Sequence, residues 1–265
     1  MKVYISADIE GITGVTSWSE TEKTHGDFQS FAKQMTREVK AACEAACEAG
    51  ASEIYVKDAH DSARNIDIAE LPEYVVLQRG WAGEPMCMVS GLDSSFDAAI
   101  FLGYHSRGGS GTSPLAHTLS TNLDHIKIND RYASEFLINA YAAALYKVPV
   151  VFVSGDKGLT EEVKEVNGSI ATLAVKEGLG KSTASIHPEK AIKEIKSTVA
   201  SSLKESLSGC MLTLPDKFNV EIGYLKQEDA FRNSFYPGAK LVSPKVISYT
   251  AENYYEVLRF LHFVA

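Results

Sequence analysis

Apolar positions along the chain change their period every ten to twenty residues, and each change marks an element. Lys2 to Ser6 is a short β-branched and aromatic run and reads as a strand. From about Asp27 to Glu48 the apolar residues Phe28, Phe31, Met35, Val39, Ala42 and Ala46 recur at helical spacing, and Gly50 stops the helix. Ser52 to Lys57 reads as a second strand, ending in Asp58-Ala59-His60-Asp61. Strand, helix and strand in this order make a βαβ unit, so the two strands run parallel. Further strands are predicted over Tyr74–Gln78, over the fully apolar Ala98–Tyr104, near Ile126–Ile128 before the turn Asn129-Asp130, and over Val150–Val153. Pro149 is tolerable just ahead of the last of these, because a strand's first position needs no ladder donor.

A helix is expected from about Ala133 to Tyr146, another near Thr160–Val166, and a strand around Ala171–Val175. His187-Pro188 opens a long helix to about Leu207, Lys217–Leu225 alternates like a half-exposed strand, and Ala251–Phe263 reads as a closing helix. The alternation predicts an α/β fold, three-layer α/β/α with a mixed, mostly parallel sheet. No fixed-period repeat and no low-complexity linker divides the 265 residues, which read as one continuous unit.

In open parallel sheets ligands bind beyond the carboxyl ends of the strands. Asp8 and Glu10 follow the first strand, His60 the second, and His105 the buried strand 98–104, so all emerge at one edge. Positions i and i+2 of an extended segment face the same way, which aims both carboxylates together. Two close carboxylates stay ionised cheaply only with a cation between them. Carboxylate oxygen and imidazole nitrogen form a set that zinc favours and that manganese or cobalt also accepts. With Glu135 on the following helix there are five candidate ligands, Asp8, Glu10, His60, His105 and Glu135. Five exceed one four-coordinate site and suit two ions sharing a bridging carboxylate, for which Asp8 is placed best. His117, in the loop after His105, is the remaining candidate for chemistry. These residues place a metal-site portion at about 1–160 and leave a C-terminal α/β portion at about 161–265.

Each candidate has an ordinary alternative. A histidine after a strand is often a hydrogen-bonded loop residue, and Glu135 in a first turn can serve the helix dipole. His125, His187 and His262 show no comparable placement and read as structural, while His25 sits in the polar loop before the first helix. Gly108, Gly109 and Gly111 lack both GxGxxG spacing and a Lys-Ser/Thr ending, so they read as a substrate-admitting loop rather than a phosphate cradle.

Composition narrows the class. The chain is 45% hydrophobic and 23% charged with a formal net charge of −8, and no Lys/Arg stripe tracks a phosphate backbone, so nucleic acid is not an expected partner. No apolar run is long enough to span a membrane, and the first residues lack the apolar core of a secretory signal. The cysteines Cys43, Cys47, Cys87 and Cys210 lack zinc-finger or CxxC spacing and fit a reduced, cytoplasmic setting.

The motifs Ser-x-Asp-x-Glu-Gly at 6–11, Asp-x-His at 58–60, Gly-Tyr-His at 103–105, His117-Thr118, Glu135 within 129–139, and Ser-Gly-Asp at 154–156 resemble the DppA-type zinc D-aminopeptidases. The resemblance spans roughly the first 160 residues. It implies two zinc ions per chain bridged by Asp8, with Glu10 and His105 completing one site and His60 and Glu135 the other. It implies a metal-bridging hydroxide that hydrolyses short peptides from their N-terminus, D-residue peptides such as D-Ala-D-Ala among them. His117 matches the family's catalytic histidine, described there as a nucleophile, and acid–base or oxyanion help is an equal physical alternative. A homodecamer of two stacked five-membered rings is likewise implied. Lys157 departs from the pattern, standing where a second Asp is expected after Ser-Gly-Asp. The competing functional class is a two-metal phosphoryl-transfer enzyme of exonuclease type, which Asp8-Ile9-Glu10 also resembles. Its later Asp motif is missing here, and histidines are poor ligands for magnesium.

Overall fold

The computed structural model describes residues 1–265. In chain order the elements are β1 (Lys2–Ala7), α1 (Phe28–Glu48), β2 (Glu53–Asp58), β3 (Val75–Gln78), β4 (Ala98–Tyr104), β5 (Leu123–Ile128), β6 (Arg131–Tyr132) and α2 (Glu135–Leu145). They continue with β7 (Val150–Asp156), α3 (Lys157–Val166), β8 (Ala171–Leu179), β9 (Ser182–Ser185), α4 (Pro188–Ser202), β10 (Phe218–Tyr224), α5 (Gln227–Asn233), β11 (Lys240–Ser243), β12 (Val246–Ala251) and α6 (Tyr254–Val264). A seven-stranded sheet has the order β3-β2-β1-β4-β7-β8-β9, parallel throughout except for β9, which pairs antiparallel with β8. This is the mixed, mostly parallel sheet expected. β1, β4 and β7 are buried almost end to end, as strands covered on both faces must be.

Helices α1 and α4 pack together on the sheet, and α2 packs against β4 and α6. The order of strand addition reverses between β1 and β4, because β2 and β3 extend to one side and β7 and β8 to the other. That reversal is the crevice where α/β folds bind ligands. A second sheet of order β11-β12-β10-β5-β6, wholly antiparallel, lies against α5 and α6. The sequence pattern does not predict it, since β11 is exposed along its length, β12 is only partly buried, and together they are rich in Ser, Thr and Lys. It draws β5 and β6 from the first half of the chain and β10 to β12 from the last fifty residues. Asn129 and Asp130 both take positive φ, at 50° and 65°, the pair of conformations that a two-residue hairpin turn needs. One contiguous apolar core joins both sheets.

Helix α4 ends at Ser202 rather than near Leu207. The Ser201 and Ser202 hydroxyls donate back to the carbonyls of Thr198 and Val199, a local alternative that competes with further helix.

The carboxyl ends of β1, β4 and β7 are locked around the carbonyl of Tyr104. A Cβ on either Gly11 or Gly155 would overlap that oxygen, so only glycine admits the approach. The Gly11 amide donates to the Gly103 carbonyl at 2.8 Å and the Asp8 amide to that of Leu102 at 2.8 Å, carrying the β1–β4 pairing past the strand end. Gly11→Ala is therefore expected to cost about 3 kcal/mol or more, lowering the thermal midpoint by roughly 10 °C. Gly26→Ala, where an added Cβ meets nothing within 4 Å, is the matched control and is expected to leave the midpoint within about 2 °C by circular dichroism.

Candidate metal centre

Asp8 follows β1, and its Oδ1 accepts the amide of Ile9 at 2.7 Å. Glu10 lies two residues on, inside the turn that Gly11 closes. The carbonyl of Glu10 and that of Val15 both accept from the buried Lys176 Nζ, which pins this turn to β8. His60 is presented by a loop organised on Asp58, whose carboxylate accepts the amides of Asn65 and Ile66 and the Asn65 side chain. Asn65 Nδ2 also donates to the His60 carbonyl at 2.7 Å. Asp156, ending β7, caps α3 through the Leu159 amide and accepts both the amide and hydroxyl of Ser106, which fixes the chain just after His105. Glu135 opens α2, capped by Ser134 Oγ, and its Oε1 accepts the Leu119 amide at 2.8 Å. Thr118 links the loop to residue 133 by donating to the Ala133 carbonyl at 3.0 Å.

All six residues singled out in the sequence meet here. His60 Nδ1 is 2.7 Å from Glu10 Oε2 and 3.3 Å from Asp8 Oδ1. His105 Nε2 is 3.6 Å from Asp8 Oδ2 and 3.3 Å from Glu135 Oε2. His117 Nε2 is 3.9 Å from Glu10 Oε1 and 3.7 Å from Glu135 Oε1. Donor atoms of Asp8, Glu10 and His60 lie within 4.8 Å of one another, and so do those of Asp8, His105 and Glu135 and those of Glu10, His105 and His117. Glu10 shares one of these sets with His60 and another with His105, the histidine expected to join it, while no one set unites His60 with Glu135. Spacing along the chain places these side chains at one edge, and only the loop paths decide which histidine meets which acid.

Each imidazole is held by its far nitrogen on a main-chain carbonyl: His60 Nε2 on Thr21 at 3.1 Å, His105 Nδ1 on Ser106 at 3.0 Å, His117 Nδ1 on Leu115 at 2.9 Å. That bond fixes the ring and leaves the near nitrogen as a lone pair aimed at the carboxylates, the arrangement typical of metal-ligating histidines. Glu10 Oε2 and His105 Nε2 are fully buried yet make no hydrogen bond of proper geometry, despite their short distances to oppositely charged partners. Buried polar atoms that converge without bonding to one another fit ions placed between them.

The electrostatics agree. Asp8, Glu10, His60, His105 and Glu135 are each 7% exposed or less. Burial, then the charge of Glu10, raises the Asp8 carboxyl well above its usual range. Burial acts the same way on Glu10 and Glu135, but His60 beside Glu10 and His105 beside Glu135 prevail and hold both low. Burial opposes protonation of His60 and His105, yet Glu10 and Asp8 raise His60 well above its usual value. Glu135, Glu10 and Asp8 raise His105 to about 10. Without metal, protons on the imidazoles supply the cation that the carboxylates require.

A cavity of about 450 Å³ opens over the cluster, the size class of small-ligand sites. Its walls include Trp18, Trp81, Met86, Met88, Asn139 and Leu258, which sequence reasoning missed. Trp18 packs edge-on to His117 with ring centroids 5.3 Å apart, and the His117 and His105 rings stack at 4.4 Å. His262, read as structural, also lines the cavity. His125 lies away from it, between Asp124 and Glu221, and His187 caps α4. Lys157 points outward to Glu177 at 2.9 Å.

An α/β chain with a buried carboxylate–imidazole cluster at the sheet's switch point has the layout of a metallohydrolase. Residues 1–263 match the D-aminopeptidase peptidase family, and the chain belongs to that family. It is 31% identical over 242 residues to a D-aminopeptidase of Bacillus subtilis (strain 168), covering 91% of this chain and 88% of the relative. Its fold matches the solved structure of the Zn-dependent D-aminopeptidase DppA from Bacillus subtilis, a self-compartmentalizing protease, with a TM-score of 0.94 and 28% identity. That match covers 100% of this chain and 96% of the other.

In the metal-free chain the raised imidazole values contribute stability that is complete below the unfolded-state histidine value of about 6.5 and lost as pH rises through the folded values. The thermal midpoint of metal-free protein is expected to fall between about pH 6.5 and pH 10, the raised His105 value. His105→Gln should flatten that decline. A midpoint that climbs over this window would contradict the charge arrangement.

Proposed function

We propose that the chain is a dinuclear zinc aminopeptidase that releases the N-terminal residue of short peptides, D-residue peptides such as D-Ala-D-Ala in particular. The observation that carries this is the pair of ligand sets sharing Asp8, set in a chain of the D-aminopeptidase family. In this proposal Asp8, Glu10, His60, His105 and Glu135 would hold the two ions, with Asp8, common to two of the ligand sets, shared between them. The zinc dependence of the structurally similar DppA enzyme supports the choice of metal. Three imidazole nitrogens aimed into the cluster favour zinc over magnesium and speak against two-magnesium phosphoryl transfer.

Two zinc ions supply Lewis-acid polarisation of the scissile carbonyl and a water acidified near neutral pH. The protein's own contribution is positional and protonic. The carbonyl anchors on His60 and His105 set the direction of their lone pairs, and the near-complete burial of the acids strengthens every charge interaction in the cluster. His117 is the group free to move a proton. Its Nδ1–H donates to the Leu115 carbonyl, so Nε2 faces the carboxylates as an acceptor that takes a proton and returns it to the leaving amine. Trp18 stacked edge-on restricts that ring to the productive orientation. The apolar walls from Met86, Met88, Leu119 and Ile138 exclude bulk water around the bound peptide.

We further place the enzyme in the cytoplasm as a homodecamer built for short peptides. The four free cysteines fit a reducing compartment, and no helix is long and apolar enough to cross a membrane. The self-compartmentalizing habit of the DppA relative supports the assembly. Exposed Phe231 on α5, Phe235 just after it, and Leu241 and Val242 on β11 offer apolar surface for subunit contact.

Purified wild type is expected to hold near two zinc ions per chain and to release D-alanine from D-Ala-D-Ala. Asp8→Ala should lose both metal and activity. His117→Ala should keep its zinc and lose about 10²- to 10⁴-fold in kcat. Zinc retained in full by Asp8→Ala would overturn the bridging assignment. Sedimentation equilibrium is expected to return ten chains per particle, and a monomer at micromolar concentration would reject the decamer.

A further inference from the structure

A groove of about 960 Å³ runs along the outer face of α1, separate from the metal cluster, and six cations line it. Lys33, Arg37 and Lys40 sit at i, i+4 and i+7 of α1, so they share one helix face over about 10 Å. Arg64 and Arg79 come from the segments after β2 and β3, and Lys23 from the loop before α1. Arg37 alone has an ion partner, Glu189 from α4. No carboxylate approaches the other five within 4 Å. Of the groove's acids, Glu44 is engaged by Lys196, which leaves Asp67, bonded to the Ala69 amide, and Glu70 without a cation partner. Five unpaired cations against two unpaired acids stand out in a chain of net charge −8. The repulsion is felt locally: burial, then the charges of Arg64 and Arg79, hold the Lys23 ammonium below its usual value.

We propose that this groove binds a small, multiply charged phosphate compound. Guanidinium forks and ammonium groups on two walls suit the oxygens of adjacent phosphates, which accept from several donors at once. A bound polyanion relieves the repulsion that Arg64 and Arg79 exert on Lys23, which Asp58 and Asp61 offset only in part. The groove also borders the active-site loop: Arg64 precedes Asn65, which bonds the His60 carbonyl. The site therefore stands beside the metal centre and independent of it.

Inorganic tripolyphosphate titrated calorimetrically into the whole zinc-loaded protein at 0.15 M salt is the test. We expect saturable binding of one anion per chain, weakened at least tenfold in Lys23→Gln/Arg64→Gln/Arg79→Gln, with zinc content unchanged. Lys33→Gln/Lys40→Gln, on the opposite wall, should weaken it similarly and covers the case of a poorly folding triple variant. Equal affinity in the variants would put the anion on zinc and overturn the proposal. Absence of saturable binding would overturn it too, leaving a solvated charge patch. A polyglutamate peptide that binds the groove more tightly than tripolyphosphate would overturn it in favour of an acidic protein segment.

Discussion

Three carboxylates buried within a few ångströms of one another constrain everything else in this molecule. Asp8, Glu10 and Glu135 are almost inaccessible to solvent, and their mutual repulsion at low dielectric is large unless positive charge lies among them. His60 and His105 meet that need when protonated, and two divalent ions meet it better, because each ion carries two charges and coordinates oxygen directly. The same repulsion explains why so much of the surrounding structure is hydrogen-bonded scaffold. A cluster that repels itself holds its geometry only if every ligand is tethered from outside.

Those tethers come from parts of the chain that carry no chemistry. Lys176 holds the main chain at Glu10, Asp58 and Asn65 hold the loop of His60, Asp156 holds Ser106 next to His105, and Thr118 ties His117 to the start of α2. Gly11 and Gly155 let β1 and β7 close on the Tyr104 carbonyl, and this closeness brings the first-strand acids within reach of His105. Asp156 shows how a motif can matter without supplying a ligand. Its carboxylate is spent on the Ser106 amide and hydroxyl and on the cap of α3. Lys157 beside it faces the surface, where it pairs with Glu177.

The second sheet and α6 complete the site from the other side. Tyr254 of α6 donates to the Ile138 carbonyl at 2.8 Å and packs against Phe218 of β10, which fixes α6 over α2. Leu258 and Leu261 of α6 then become cavity wall. The last fifty residues thus shape the space above the cluster, although they hold none of its charged groups.

Much of the first sheet was legible in the chain, because fully buried parallel strands such as Ala98–Tyr104 are unmistakably apolar and the βαβ rule orders their ends. Asp8, Glu10, His60 and His105 could be placed at one edge by that rule alone, since it concerns strand direction and needs no contact information. The strands Lys240–Ser243 and Val246–Ala251 were not legible, as exposed and partly buried strands carry weak alternation and take their stability from partners far away in sequence. Nor could the chain reveal which histidine faces which acid, or that Trp18 and Trp81 flank the cavity. Those facts depend on loop paths set by long-range hydrogen bonds such as Lys176 to Glu10 and Asn65 to His60. Local pattern determines which residues reach an edge, because period and strand direction are local properties. The pairing of those residues, and the shape of the space between them, belong to the tertiary structure alone, because they arise from contacts that close only when the whole chain has folded.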